Sequence, residues 1–441
     1  MKFKIFTWIN AALVTTIAFN NASAADVPGA DVKESSSDSA MPIGYVETMG
    51  PATDLFNDLK TQGFVSNGIR FVPDVSAVAF HETNPFQNKF NVSDSGRIYY
   101  MTLTATDMAQ GGFTLFAGFA GTKYNNISDS ISLRHLIRYS GRGNYSDWVF
   151  PYVVSMSSDA ISRSSFYTKK STGSTASFVA EQVVKQNWGH IRAQREFDKT
   201  SLELALKVVD FKLGANSTSE GVSTPSNNNS INYTVKASLK RKIDGNATIF
   251  VNGQLFYYDY DTAWHTDEIN PTSKVSNISV GASKEFANKC DLTAEIGSSN
   301  KDSGRPDLVP QAQHPIGLLR ANWSPYSGIQ TQAGFSRSTE ELNETTLSNL
   351  VVDTVSLGVL ARLSDSFGIN MSADRSSIRT NELLGNVVDT KLYSALLWKP
   401  HKKVLASLAF SRTQREISSS FDGLVTPFVN NKYLVNLTYY P

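Results

Sequence analysis

From Gly68 to the end of the chain, apolar side chains return at every second position, with small or polar residues between them. Phe113, Leu115, Ala117 and Phe119 hold the apolar places of one stretch. Ile231, Tyr233, Val235, Ala237 and Leu239 do so in another, where Lys236 and Lys240 fall on the opposite phase. Tyr433, Val435, Leu437 and Tyr439 close the chain in the same way. A period of two belongs to a β-strand with one apolar and one polar face. The pattern predicts strands over 68–80, 96–106, 113–124, 130–140, 146–157, 186–197, 201–214, 230–243 and 247–260. It continues over 274–286, 290–300, 314–324, 329–340, 351–364, 367–378, 389–398, 403–414 and 429–440. That makes eighteen, and the 158–185 stretch between two of them reads either as an inserted constriction loop or as one more hairpin, giving twenty.

The connections alternate as well. Tight turns are expected at Ala109–Gly112, Gly141–Asn144, Asp198–Thr200, Asp244–Asn246, Asn288–Lys289, Pro325–Gly328, Asp365–Ser366 and Pro400–Lys402. Longer polar links lie between them, at Ala215–Asn229, Asp261–Ser273, Lys301–Gln313 and Arg415–Pro427. Short turns on one side and long loops on the other are the rhythm of an outer-membrane barrel. An even strand count returns both ends to the periplasmic side and leaves no open edge. A soluble sandwich or solenoid is the alternative. It has no reason to keep one set of turns short, or to gather Tyr99, Trp148, Tyr152, Tyr257, Trp323, Trp398 and Tyr439 near strand ends, where interfacial aromatics belong. The fold expected is an all-β, closed antiparallel transmembrane barrel over 67–441.

The N-terminus reads differently. Lys2 and Lys4 precede an apolar run from Phe6 to Phe19, and Ala22-Ser23-Ala24 fits a small-x-small cleavage site, so 1–24 is expected to be a signal peptide. Residues 25–66 include the polar run Val32–Ser39, which is too poor in apolar groups to form a core. They are expected to form a flexible periplasmic segment, with a possible short helix over Asp54–Lys60. An address of this kind implies export, and with the barrel pattern the expected location is the bacterial outer membrane.

Composition narrows the function. The 441 residues carry 41 Lys and Arg against 40 Asp and Glu, a net charge of +1, and only 18% are charged. No basic face large enough for nucleic acid can be assembled from such material. The single cysteine, Cys290, excludes a disulfide framework and a cysteine-based metal site. His81, His135, His190, His265, His314 and His401 lack metal-site spacing, and no G-x-S-x-G elbow or phosphate loop occurs. No catalytic residue, metal or cofactor is therefore assigned, and the chain is read as a non-enzyme.

The polar phase of the strands carries the candidate chemistry. With the apolar phase toward lipid, Arg134, Arg138, Arg192, Lys207, Lys236, Lys240, Arg320 and Arg362 turn to the lumen, with Glu203, Glu295 and Asp374 among them. A wet interior tolerates charge of any kind. Taken together, an arginine-bearing lumen also suits an anionic polymer, because guanidinium groups bind carboxylates bidentately. Tyr100, Phe116, Tyr258 and Tyr260 share the lumen phase, where they either stack on sugar rings or fill space.

Three passages carry a family resemblance. They are Phe71–Val75, His81–Phe86 with Ser93–Gly96, and Leu397–Pro400 followed by Leu405–Arg412. In these the chain resembles the exopolysaccharide-associated outer-membrane β-barrel porins, the EpsL-like and VpsM-like members. The resemblance implies a channel component for export of an exopolysaccharide of biofilm or capsule type. Its implied partners are the polymer, a periplasmic polysaccharide-export protein, an inner-membrane co-polymerase, outer-membrane lipid and the barrel-assembly machinery. The chain departs from many barrels in ending on Pro441 after Tyr439-Tyr440. A scaffold that organises the export complex, or a barrel enzyme acting on lipid or polysaccharide, are the rival readings.

Overall fold

The structure, a computed structural model, describes residues 56, 63–84, 93–108, 113–125, 132–163, 180–213, 216–217, 223–224, 230–260, 273–287, 289–302, 312–340, 350–379, 386–417 and 427–441. Of these it gives the backbone alone for 132–134, 158–163, 180–184, 211, 213, 216–217, 223–224, 260, 340, 350 and 386. The expected signal peptide, nearly all of 25–62 with its possible helix, and most long-loop residues lie outside this set.

The strands are β1 (Phe64–Ser66), β2 (Ile69–Glu82), β3 (Asp94–Asp107), β4 (Thr114–Tyr124), β5 (Ser132–Tyr145), β6 (Trp148–Arg163) and β7 (Ala180–Phe197). Next come β8 (Thr200–Leu213), β9 (Asn216–Ser217), β10 (Ser223–Thr224), β11 (Ser230–Asp244), β12 (Ala247–Tyr260), β13 (Ser273–Phe286) and β14 (Cys290–Asp302). The last are β15 (Ala312–Trp323), β16 (Ile329–Glu340), β17 (Leu350–Arg362), β18 (Phe367–Arg379), β19 (Asn386–His401), β20 (Val404–Ile417) and β21 (Phe428–Tyr439). Eighteen of them, β2–β8 and β11–β21, pair antiparallel in sequence order, and β21 returns to β2 from Val75↔Tyr439 to Glu82↔Lys432. The sheet is thus closed and every strand has two neighbours. No helix among the described residues is long and apolar enough to cross a membrane; the crossing elements are the strands.

The three short strands are additions at the rims. β1 folds back on β2 through Asn67 and Gly68, whose φ values of 49° and 78° suit a two-residue turn of the left-handed kind. β9 and β10 pair with each other inside the 214–229 connection, and Ser217 of β9 meets Glu181 of β7. Within the 158–185 stretch the described residues lengthen an existing pair, β6 running on to Arg163 and β7 beginning at Ala180, and 164–179 lie outside the described residues. Eighteen is the strand count.

Two expected turns move. Gly141–Asn144 is strand, and the chain reverses at Ser146–Asp147, where Ser146 takes φ 52°. Gly141 is small for a packing reason: a Cβ there would lie 2.5 Å from the Tyr152 hydroxyl, so the tyrosine ring occupies the space above it. Tyr152 is consequently covered rather than displayed as a girdle residue. Near the other end β19 continues to His401 past a register irregularity after Trp398, and the turn falls at 402–403. Elsewhere the alternation of connections holds. One side of the barrel has links of two to six residues and the other has links of six to sixteen.

Alternation in burial fixes the faces. Tyr99, Met101, Phe119, Ile278, Ile296, Val355, Leu408 and Val435 are exposed large apolar residues, and their strand neighbours are half-buried or buried. Only a membrane makes such an outward apolar band stable, since in water it would be a liability far beyond ordinary patch size. The inward phase packs most tightly around the closing seam. Val78, Phe80, Ile98, Tyr100, Leu397, Leu405, Leu434 and Tyr440 form one cluster there. Across the seam Ser76 and Thr438 share a buried hydroxyl–hydroxyl hydrogen bond of 2.8 Å. Glu82 accepts from Asn430 Nδ2 at 3.0 Å and from the Tyr124 hydroxyl at 3.1 Å, with Lys432 Nζ at 3.7 Å. A buried carboxylate with three partners is affordable in such a place, and it ties β2, β4 and β21 together.

Candidate functional site: the lumen wall

Because neighbouring strands pair in register, inward side chains fall into rows that run across the wall. One row holds Arg138, Ser155, Trp188, Val209, Asn232 and Tyr258 on six successive barrel strands from β5 to β12. The next holds Val153, His190, Lys207, Thr234 and Phe256. A third contains Arg192, Ala205, Lys236, Gln254 and Asn277, and a fourth contains Gln194, Glu203, Ser238, Asn252 and Ser279. Two residues of strand separate successive rows, about 7 Å.

The basic groups concentrate on this wall. The Arg138 guanidinium lies 5.4 Å from the Trp188 ring centroid, and Lys207 Nζ lies 5.4 Å from the same ring. Both distances are within cation–π range. Phe256 and Tyr258 stack at 6.5 Å between centroids, nearly parallel. Polar order continues in the fourth row. Ser238 Oγ donates to Asn252 Oδ1 at 2.6 Å, Asn252 Nδ2 donates to Glu295 at 3.2 Å, and Ser279 Oγ donates to the same carboxylate. Gln194 Nε2 donates to Glu203 at 3.2 Å. Glu203 and Glu295 thus accept hydrogen bonds from neutral side-chain donors.

The opposite wall is arranged differently. Arg415 binds Asp389 through two hydrogen bonds of 2.7 Å, and Asp374 sits directly across from Lys391. There an acid and a base face one another on adjacent strands.

The sequence-derived lumen residues divide as follows. Arg138, Arg192, Lys207, Lys236, Lys240 and Tyr258 take inward positions on the β5–β12 wall, with Glu203. Tyr100 is buried in the seam cluster, and Phe116 also takes the inward phase. Glu295, Arg320 and Asp374 take inward positions on β14, β15 and β18. Arg362 shares the phase but stands at the short-turn rim, bound to Asp365 of its own turn at 2.5 Å. Arg134 and Tyr260 hold inward register positions opposite Ala120 and Ser230, and their side chains lie outside the described residues. Sequence reasoning missed Trp188, His190 and Lys391. Their inward phase was readable, but nothing in the chain order signals that Trp188 stands between Arg138 and Lys207.

Phe56, which the sequence places with Leu55 and Leu59 on the apolar side of the possible 54–60 helix, gains a specific site. This residue of the N-terminal segment is fully buried among Val78, Phe80, Leu397, Leu405 and Tyr440 on the inward face near the short-turn rim, with Lys399 Nζ 5.2 Å from its ring. Among the described residues no group of three His, Cys, Asp or Glu side chains gathers to hold a metal ion. Beyond the membrane-crossing part, Asp244 caps the β11–β12 turn. Its carboxylate accepts from the Asn246 N–H at 2.9 Å, which holds it below the usual carboxylate range.

No family model matches the chain, and neither does any curated protein. Solved structures do. The FrpB iron transporter from Neisseria meningitidis (F5-1 variant) is similar over 88% of this chain and 84% of its own, at 8% identity and a TM-score of 0.47. The ferric enterobactin receptor PfeA of Pseudomonas aeruginosa, an R480A_Q482A mutant, is similar over 84% of this chain and 80% of its own, at 8% identity and a TM-score of 0.45. The siderophore receptor PirA of the same organism is similar over the same shares, at 10% identity and a TM-score of 0.43.

Proposed function

We propose that the barrel is a non-enzymatic outer-membrane conduit for an anionic polymer, with an exopolysaccharide as its cargo. The observation that supports this reading is the β5–β12 wall, where arginines, lysines and aromatic rings alternate in rows about 7 Å apart. A chain of acidic sugars presents carboxylates to guanidinium groups and ring faces to aromatics, and such a wall meets both. Repeated weak contacts suit passage, because a single tight site would stall a moving chain. The choice of exopolysaccharide among anionic polymers rests on the resemblance of the Phe71–Val75, His81–Gly96 and Leu397–Arg412 passages to porins of that kind. A periplasmic polysaccharide-export protein and an inner-membrane co-polymerase are the partners that this reading requires, and they supply the driving force.

The test is a chromosomal deletion examined for secreted and cell-retained polymer. The reading expects secretion to stop while intracellular polymer is still made. Normal secretion, or loss of synthesis itself, counts against it. In planar bilayers the purified barrel is expected to favour anions and to be blocked by an acidic polysaccharide, while a neutral glucan of equal length has less effect.

A further inference from the structure

The outward face of the barrel carries a second basic feature, distinct from the lumen. Arg97 of β3 and Lys123 of β4 are directly opposite one another in the register, and both are exposed on the phase that also carries Tyr99 and Phe119. They lie toward the long-loop rim, Arg97 near the start of its strand and Lys123 beside the end of its own. On the neighbouring strand His81 extends the patch, its Nδ1 2.9 Å from Ser95 Oγ and its ring stacked near Tyr433.

Like charges directly opposite on a sheet destabilise the pair. Elsewhere on the same outward rim the barrel avoids the problem: Lys212 meets Asp210 at 3.3 Å, and Arg337 and Arg379 both meet Asp353. At Arg97 and Lys123, among the described residues, no acid takes that part. Farther from that rim along the strands the face is apolar, with Tyr99, Phe119 and Leu437 all more than half exposed. A basic pair above an apolar surface matches an amphiphile with an anionic head and acyl chains. Arginine binds phosphate through a planar fork and lysine as a point charge, so a phosphate monoester set between them answers both. We propose that Arg97 and Lys123, flanked by His81, seat the phosphate of a phosphorylated lipid in the leaflet on the long-loop side. The acyl chains of that lipid lie against Tyr99, Phe119 and Leu437.

The experiment uses the full-length barrel in a neutral detergent, with diphosphoryl lipid A, fully dephosphorylated lipid A and inorganic phosphate as probes. Diphosphoryl lipid A is expected to raise the temperature at which the heat-modifiable band is lost, and to bind at least about tenfold more tightly than the dephosphorylated form. The R97Q/K123Q variant is expected to lose that advantage. R241Q/K284Q, which removes two exposed outward charges from the opposite rim, is expected to keep it. Equal binding of the two lipids overturns the proposal, and so does an equal loss in both double variants. Competition by inorganic phosphate at lipid concentrations points to a free-anion site and overturns it too. If R97Q/K123Q does not fold, the two lipids compared on the wild-type barrel and on R97K/K123R, which keeps the charge, still decide the matter.

Discussion

Arg138 on β5 reaches across β6 to Trp188 on β7, its guanidinium 5.4 Å from the ring centroid, while Lys207 Nζ on β8 lies 5.4 Å from the same centroid. Fifty residues separate the arginine from the tryptophan, and the register of three strand pairs brings these groups together. The arrangement gathers two cations from successive rows of the lumen wall around one ring, and it sets the first expected outcome.

Arg138→Glu combined with Lys207→Glu is expected to leave a folded barrel, since a lumen charge costs little, but to turn ion preference from anions toward cations. Reversal potentials in a salt gradient across a planar bilayer measure this. An unchanged reversal potential alongside a normal heat-modifiable band removes the β5–β12 wall as the selectivity element.

The lipid face should respond in the opposite way. Ile278, at the middle of β13, is 69% exposed on the outward phase. Ile278→Arg is expected to cost ~2–4 kcal/mol at mid-membrane and to lower the yield of assembled barrel. Gln254→Arg, on the inward phase of the adjacent strand, is expected to assemble normally. Chemical denaturation of the two variants in lipid vesicles compares them. A stable Ile278→Arg barrel beside an unfolded Gln254→Arg one reverses the assigned faces.

Phe56 is expected to anchor the N-terminal segment in the lumen. Truncation of a buried phenylalanine ordinarily costs about 3–5 kcal/mol, more than one short segment retains once its anchor is gone. Phe56→Ala should therefore speed proteolysis on the N-terminal side of residue 63 without altering the heat-modifiable barrel, and should raise single-channel conductance. Equal cleavage rates in the two proteins show that the segment is held by something else.

The orientation is open to direct labelling. A tag after Gly245, in a two-residue link, is expected to be hidden on intact cells, and a tag in the 261–272 link is expected to be reached by antibody. Surface labelling at Gly245 instead inverts the barrel.

Gly141 provides a packing test. Any side chain there meets the Tyr152 ring, so Gly141→Val is expected to destabilise the barrel, and pairing it with Tyr152→Ala is expected to recover part of the loss. A double-mutant cycle in urea reads the coupling, and additive effects dismiss the contact.

What the sequence by itself determined was the strand: a period of two needs only the residue and its immediate neighbours, and so β12 and β16 fall at the bounds the pattern predicted, 247–260 and 329–340. The two faces followed from the same period, and Arg138, Lys236 and Tyr258 stand on the phase that alternation assigned them. Glycine and asparagine misled at Gly141–Asn144, because smallness serves a turn and a covering ring equally well, and only the position of Tyr152 on the next strand tells them apart. Tertiary structure alone decided which inward residues share a row, since cross-strand neighbours are fixed by register and closure and not by distance along the chain. It likewise placed Phe56 beside Leu405 and Tyr440, more than 340 residues away, because the apolar side that Leu55, Phe56 and Leu59 suggest says nothing of which surface receives it, and that is decided by the shape and apolar character of the surface that buries it.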